Sequence, residues 1–119
     1  MPVPDSLAAE DYCYLLTTGR VTGKQRTTEI WFAIDGDTLY MLSGGRERSD
    51  WVKNARKTPE VKVRIGRRTF AGTARLPRGR EDARARRLVA GKYRARGHRD
   101  LDEWERDALV VAVDLQIGR

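Results

Sequence analysis

After a short polar lead, the chain enters a segment rich in aromatic and β-prone residues, residues 12–18, which stops at Gly19. A second such segment, residues 27–34, reaches an Asp-Gly-Asp turn and is followed by a third, residues 38–43. An Asp-Gly pair between two hydrophobic runs is typical of a tight β-hairpin. The pattern therefore predicts a first strand and then a hairpin of two longer strands.

A second hairpin is predicted in the middle of the chain. Residues 61–65 alternate strictly between apolar and charged positions, turn at 66–68 and resume at 69–76. Such alternation indicates strands with one face toward the core and one toward solvent. Residues 109–115 are short, apolar and β-branched, so we expect them to form the closing strand.

Two helices are predicted between these strands. Ser49 is a suitable N-cap and Thr58-Pro59 prevents continuation, which indicates a short helix over residues 49–57. Residues 80–96 predict a longer amphipathic surface helix, because arginines fill the positions between apolar residues at helical spacing. Those apolar residues are Ala85, Leu88, Val89 and Tyr93.

Six strands, mostly antiparallel, with these two helices predict a mainly β protein, a small closed or half-open β-barrel. A barrel also removes the exposed edges that many short strands would otherwise leave. The chain has 119 residues, which is the length of one domain, and we expect residues 1–119 to form it.

The chain is basic, with 24 Lys and Arg against 17 Asp and Glu, a formal net charge of +7. The excess is greatest over residues 78–99, where nine cations accompany only Glu81 and Asp82. This charge favours an anionic partner, which leaves open a nucleotide-like cofactor, a nucleic acid and peripheral contact with an anionic membrane.

Cysteine and histidine occur once each, as Cys13 and His98. Together they predict neither a disulfide framework nor a metal site, and a reducing cytoplasm fits best. The N-terminal residues show no signal-peptide pattern, and no apolar run has the roughly 20 residues of a membrane span. We therefore expect a soluble, cytoplasmic protein.

Two segments carry the candidate chemistry. Residues 18–26 compress two glycines, hydroxyl donors and three cations into one turn, which is the composition of an anion-binding loop. Ser43-Gly44-Gly45 places small residues where a flat ligand can approach the backbone, just before the short helix begins. Together they indicate a phosphorylated, planar cofactor.

Four motifs in order resemble the deazaflavin (F420)-dependent nitroreductase and quinone reductase family. They are Thr-Gly-Arg-x-Thr-Gly-x-x-Arg at 18–26, Ser-Gly-Gly at 43–45, Trp-x-x-Asn at 51–54 and Pro-x-Val-x-Val at 59–63. The resemblance implies the FMN-binding split-barrel fold and the use of coenzyme F420. Many members carry a cation where this chain has Val21 and proline where it has Glu29, so the charge of the loop is reduced here.

The same resemblance implies a set of site residues. The phosphate and acidic tail of the cofactor would lie over Arg20, Thr22, Gly23, Lys24 and Arg26. The ring system would lie against Trp31, Ser43, Gly44 and Gly45, with Asp50, Trp51 and Asn54 closing that side. Ser43 would donate to a ring carbonyl, and Tyr93 would be a substrate-side proton donor. Other interpretations are a solvated loop, tryptophans in the barrel wall and a packed Tyr93.

The implied activity is hydride transfer from reduced deazaflavin to a small hydrophobic, electron-poor acceptor: a quinone, nitroaromatic or activated alkene. The chain lacks the Gly-x-Gly-x-x-Gly turn of a dinucleotide site, which argues against direct use of a nicotinamide. Two alternatives stay open: an FMN-binding split-barrel flavoprotein, and a carrier that binds flavin or deazaflavin without turnover. A nucleic-acid-binding barrel ranks last, because exposed aromatic platforms are few. A monomer and a homodimer are both compatible with the sequence.

Overall fold

The computed structural model describes residues 3–117, which form a curled antiparallel sheet with helices packed against it. The strands are β1 (Cys13–Thr18), β2 (Gln25–Ile30), β3 (Ala33–Asp35), β4 (Thr38–Ser43), β5 (Glu60–Ile65), β6 (Arg68–Arg75) and β7 (Leu109–Leu115). The helices are α1 (Asp5–Ala8), α2 (Asp50–Lys57), α3 (Gly79–Arg94) and α4 (Asp102–Asp107), with a 3-10 helix at Arg46–Arg48. The sheet order is β2-β1-β5-β6-β7-β4-β3.

Burial follows the alternation that the sequence predicts for β5. Val61, Val63 and Ile65 are buried, whereas Lys62 and Arg64 face solvent. The inward residues join those of β1, β4, β6 and β7 in one core cluster inside the barrel. These strands therefore pack against the hydrophobic core with one face, while the other face contacts solvent.

A second core cluster lies between the sheet and α3. Tyr40 and Leu42 of β4 and Val110 of β7 pack there against Val89 and Tyr93 of the helix. β4 and β7 bury residues on both faces, and for this reason their sequences are nearly continuous apolar runs. The predicted amphipathic helix is thus the cover of one outer face of the barrel.

The predicted strand over residues 27–34 is wrong as one continuous element. The segment divides at Trp31-Phe32 into β2, which pairs with β1, and β3, which pairs with β4. The break occurs because the backbone of Phe32 bonds to side chains of α3: its N–H donates to the Tyr93 hydroxyl at 2.9 Å, and its carbonyl accepts from Lys92 Nζ at 3.0 Å. The two pieces form opposite edges of the sheet.

The other strands and the two predicted helices lie within a few residues of their expected bounds. The division at residues 31–32 gives seven strands in the described part of the chain, where six were expected. The sequence interpretation missed α1, α4 and the 3-10 helix, which are all short and polar. No helix in residues 3–117 is both long and apolar enough to cross a membrane.

Candidate functional site

The loop between β1 and β2 is closed by its own hydrogen bonds. Gly19 N–H donates to the Lys24 carbonyl at 2.7 Å, and Gly23 N–H donates to the Gly19 carbonyl at 2.8 Å. Gly23 has a φ of +74°, a conformation that favours glycine. Lys24 N–H donates to the Thr22 hydroxyl at 3.2 Å. The turn itself therefore uses the N–H groups of Gly19, Gly23 and Lys24, which leaves them unavailable to an anion.

Asn54, buried on α2, fixes the loop to the helix. Its Oδ1 accepts from the Arg20 backbone N–H at 3.1 Å and from the Arg20 guanidinium at 2.9 Å. Its amide nitrogen lies 3.5 Å from the Thr17 hydroxyl. Arg20 also pairs with Asp50 at 3.2 Å, and its carbonyl accepts from Lys57 at 3.1 Å. The Asn of the Trp-x-x-Asn motif thus positions the loop and its first arginine.

A cleft of about 410 Å³ opens between this loop, β2 and α2, and we call it the basic cleft. It contains six of the predicted cofactor residues and three others. Its lining is Gly19, Arg20, Val21, Thr22, Arg26, Thr28, Asp50, Trp51 and Asn54. Within the described residues it carries two cations against one carboxylate, so it favours an anion.

The two cations differ in whether a carboxylate of the protein already binds the guanidinium group. Arg20 is bound to Asp50 and Asn54, whereas the Arg26 guanidinium has no carboxylate within 4 Å among residues 3–117. Gly23 and Lys24 do not line the basic cleft. Gly23 instead borders a separate depression beside β5 and β6. Of the five predicted phosphate residues, the structure therefore places Arg20, Thr22 and Arg26 in the basic cleft and Gly23 in the other depression.

A second cleft, of about 420 Å³, lies under the break between β2 and β3, and we call it the aromatic cleft. The Trp31 and Trp104 rings meet edge to face there, with centroids 5.7 Å apart. The full lining is Tyr12, Glu29, Ile30, Trp31, Leu42, Leu101 and Trp104. Sequence reasoning identified Trp31 and missed most of this wall, although Leu101 and Trp104 at i,i+3 spacing could have indicated α4.

The two clefts follow one another along β2. Arg26 and Thr28 line the basic cleft, and Ile30, two residues further on, lines the aromatic cleft. Alternate residues of a strand point to the same face, and two residues span about 7 Å. Strand β2 therefore borders both clefts: Arg26 and Thr28 line the basic cleft from one face, whereas Ile30 and Glu29 line the aromatic cleft from opposite faces.

The Ser-Gly-Gly segment lies apart from the basic cleft. Ser43 is buried, and its hydroxyl bonds to the Arg46 carbonyl at 3.0 Å and to the Ser49 hydroxyl at 2.8 Å. A Cβ on Gly45 would lie 2.5 Å from the Ser49 hydroxyl, so this glycine allows a close approach of the chain to itself. Gly44 is exposed, and a Cβ there would lie 3.7 Å from Trp104. Gly44 lines a separate pocket with Trp104 and Ala108, outside the aromatic cleft.

Tyr93 is buried, which corrects its predicted role as a proton donor to substrate. Its hydroxyl accepts from Phe32 N–H and donates to the Asp11 carbonyl at 2.8 Å. Burial raises its pKa to about 12. The ring stacks on Trp31 with centroids 4.0 Å apart and planes 9° from parallel. Tyr93 therefore supports the aromatic cleft from behind, which agrees with the alternative interpretation of a packed tyrosine.

Titratable groups elsewhere do not gather into a metal site. Within residues 3–117, no cluster of three or more His, Cys, Asp and Glu side chains has the arrangement to hold a metal ion. Cys13 is buried on β1, where the loss of solvent raises its pKa to about 12. Its thiol is accordingly in the unreactive, protonated form at neutral pH.

Comparison of the structure with solved structures identifies the fold. An F420-H2 dependent reductase superimposes with a TM-score of 0.70 at 22% identity, covering 87% of this chain and 93% of that one. A FAD-binding protein of Mesorhizobium loti gives a TM-score of 0.70 at 16% identity, covering 95% and 84%. These likenesses confirm the predicted split-barrel fold of flavin and deazaflavin proteins.

Comparison of the sequence gives more specific relatives. An F420H(2)-dependent quinone reductase of Mycobacterium tuberculosis is 38% identical over 64 residues. That match covers 51% of this chain and 43% of the relative, so it spans less than half of the relative's length. The family model for F420H(2)-dependent quinone reductases matches residues 2–116, nearly the whole chain. The chain therefore belongs to the F420H(2)-dependent quinone reductase family.

Proposed function

We propose that this protein transfers a hydride from reduced coenzyme F420 to a small, electron-poor acceptor of the quinone type. Family membership supports the coenzyme and the class of acceptor. The observation in the structure that carries the proposal is that one strand, β2, borders both the basic cleft and the aromatic cleft. An anionic, planar cofactor and an apolar acceptor need these two environments side by side.

The residues of the basic cleft fit the charged part of this coenzyme. Arg26 is free to bind a phosphate, the Thr22 hydroxyl can donate a hydrogen bond, and Arg20 is held in place by Asp50 and Asn54. Lys24, exposed on the same loop, would add long-range attraction for the acidic tail. Trp51 supplies the apolar wall of this cleft.

The aromatic cleft would receive the acceptor and the adjacent part of the ring system. Trp31 and Trp104 are both partly exposed and line this cleft, and such aromatic walls favour a planar, electron-poor molecule. The coenzyme supplies the hydride chemistry when bound, and the protein contributes binding, orientation and exclusion of water.

The test is a pair of measurements on the purified protein. Titration with F420 and with FMN compares the two cofactors, and turnover is followed as recovery of oxidised deazaflavin absorbance with reduced F420 and menadione. We expect F420 to bind more tightly, turnover to occur, and NADPH alone to give none. Robust turnover with NADPH in the absence of deazaflavin would contradict the proposal.

A flavoprotein is the second candidate, because a FAD-binding protein shares the fold. Protein that elutes yellow with tightly held FMN would favour it. F420 binding with no reduction of quinone or nitroaromatic acceptors would instead indicate a carrier. Both outcomes are visible in the same experiment.

A homodimer is the proposed assembly. One structural neighbour, with a TM-score of 0.71 at 23% identity, is a domain-swapped dimer. Both edge strands, β2 and β3, leave backbone groups available for pairing. Light scattering of the purified protein distinguishes a dimer from a monomer. A cytoplasmic location stays a prediction from the single buried cysteine.

A further inference from the structure

One ammonium group near the end of α3 connects this helix to the segment before β1 and to the break between β2 and β3. Lys92 Nζ donates to the carbonyls of Ala8 at 3.0 Å, Glu10 at 2.8 Å and Phe32 at 3.0 Å. It also lies 3.7 Å from the centroid of the Phe32 ring. An ammonium has three N–H donors, so these three carbonyls match its full capacity.

The next residue of the helix completes the connection to the aromatic cleft. The Tyr93 hydroxyl binds the N–H of Phe32, and its ring stacks on the Trp31 indole. Phe32 is thus held at its N–H by Tyr93 and at its carbonyl by Lys92. These contacts set the backbone at the break between β2 and β3, and hence the direction in which Trp31 enters the cleft.

We propose that Lys92 is a positioning residue for the aromatic cleft, whose ammonium orients Trp31 through the Phe32 backbone and makes acceptor binding depend on its protonation. The acceptor part of this inference rests on the proposed function. Lys92 is not part of the lining of the aromatic cleft, so it acts through Phe32 and Trp31.

The surroundings of Lys92 place its titration near neutral pH. The charged or titratable groups near it are Tyr93 on α3, Arg96 in the turn after α3, Cys13 on β1, and Glu10 and Asp11 before β1. Burial, aided by the charge of Arg96, lowers the pKa of Lys92 to about 8. Above that pH the neutral amine has two N–H donors for three carbonyls, and its lone pair faces one of them. The hold on Phe32 therefore weakens as pH rises.

The first test needs no ligand. With Trp51→Phe and Trp104→Phe, Trp31 becomes the only tryptophan, and its emission is recorded between about pH 7 and 9, around the pKa of Lys92. We expect a shift in emission with a midpoint near the Lys92 pKa, which Lys92→Met and Lys92→Arg both abolish. His98 lies 4.5 Å from the Trp31 ring, so His98→Ala serves as a control that must keep the transition.

The second test measures menadione binding to protein with all three tryptophans, by fluorescence quenching without deazaflavin. The dissociation constant should rise about tenfold from pH 7 to 9, as expected for the loss of one charge-assisted hydrogen bond. Lys92→Met should bind weakly at both pH values, and Lys92→Arg more tightly and without pH dependence. Lys62→Met, an exposed lysine on β5, should behave as the unchanged protein.

The two tests separate this inference from the proposed function. Absence of menadione binding by the unchanged protein would contradict the proposed acceptor, whereas the Trp31 emission still reports on Lys92. A transition that persists in Lys92→Met, or that disappears in His98→Ala, would overturn the inference. If Lys92→Met fails to fold, the test uses the Trp51→Phe and Trp104→Phe variant that retains Lys92. A Trp31 emission spectrum that does not change over this pH range overturns the inference.

Discussion

At the scale of single residues, the two arginines of the basic cleft have different roles. Arg20 is bound by Asn54 and Asp50 and stabilises the loop, while Arg26 points its charge into the cleft without a carboxylate partner in the described chain. A cation that is already paired with a carboxylate attracts an anionic ligand less strongly than a cation whose charge is uncompensated. We therefore assign the main attraction for the cofactor's phosphate to Arg26.

Charge reversal at Arg26 tests this assignment. Arg26→Glu should raise the F420 dissociation constant about tenfold or more, because attraction becomes repulsion, with little change in stability at this exposed strand end. Arg67→Glu makes the same charge change on the exposed β5–β6 turn and is the matched control. Equal losses of affinity in the two variants would show that net charge, and not the cleft, binds the cofactor.

At the scale of elements, α3 is fixed to the sheet by polar contacts as well as by its apolar face. Glu81 accepts two hydrogen bonds from Arg75 of β6, each at 2.7 Å, and one from the Tyr40 hydroxyl of β4 at 2.7 Å. Arg75 reaches Asp114 of β7 at 2.6 Å. Hydrogen bonds from Arg75 and then Tyr40 lower the pKa of Glu81 to about 2.

The pKa of Glu81 gives the sign of a stability change with pH. Its folded value lies below the ordinary value of 4.5, so its contribution is complete above that pH and is lost as pH falls toward 2. Glu81→Gln should lower the free energy of unfolding at pH 7 by about 1 kcal/mol, a modest figure because Arg75 is partly exposed.

Urea denaturation between about pH 3 and 7 measures this difference. The gap between Glu81→Gln and the unchanged protein should narrow as pH falls. Glu47→Gln removes an exposed pair with Arg46 at 3.5 Å and should change stability little at any pH. A gap that stays constant with pH would contradict a role for the Glu81 charge.

At the scale of the whole molecule, a net charge of +7 and two unlike clefts predict different salt responses for the two ligands. The Debye length falls from about 10 Å at 0.1 M salt to about 3 Å at 1 M. F420 affinity should therefore weaken several-fold over that range, while menadione affinity stays level. Binding titrations at both salt concentrations check this, and a parallel loss for both ligands would contradict separate basic and aromatic sites.

Much of the architecture was already determined by the sequence. Composition and turn or cap residues located β1, β4, β7 and α2, and periodicity located β5, β6 and α3, because side chains on a half-buried strand or helix must alternate with the geometry of that element. The motif at 18–26, the motif at 51–54 and the neighbouring Asp50 also indicated residues that the fold does bring together: Arg20 contacts both Asp50 and Asn54. Local spacing carries this information because each motif lies within one turn or one helix.

Only the tertiary structure decided where the long second strand breaks and which side of the site each predicted residue occupies. The break at Trp31-Phe32 depends on Lys92 and Tyr93, about 60 residues away in the chain, so no local pattern contains it. The sequence left two interpretations of Tyr93 open, a proton donor to substrate and a packed tyrosine, and its burial with a hydrogen-bonded hydroxyl agrees with the second. The aromatic cleft likewise exists because β2, β4 and α4 converge. These features depend on contacts between residues that are far apart in the sequence, and such contacts form only when the whole chain is folded.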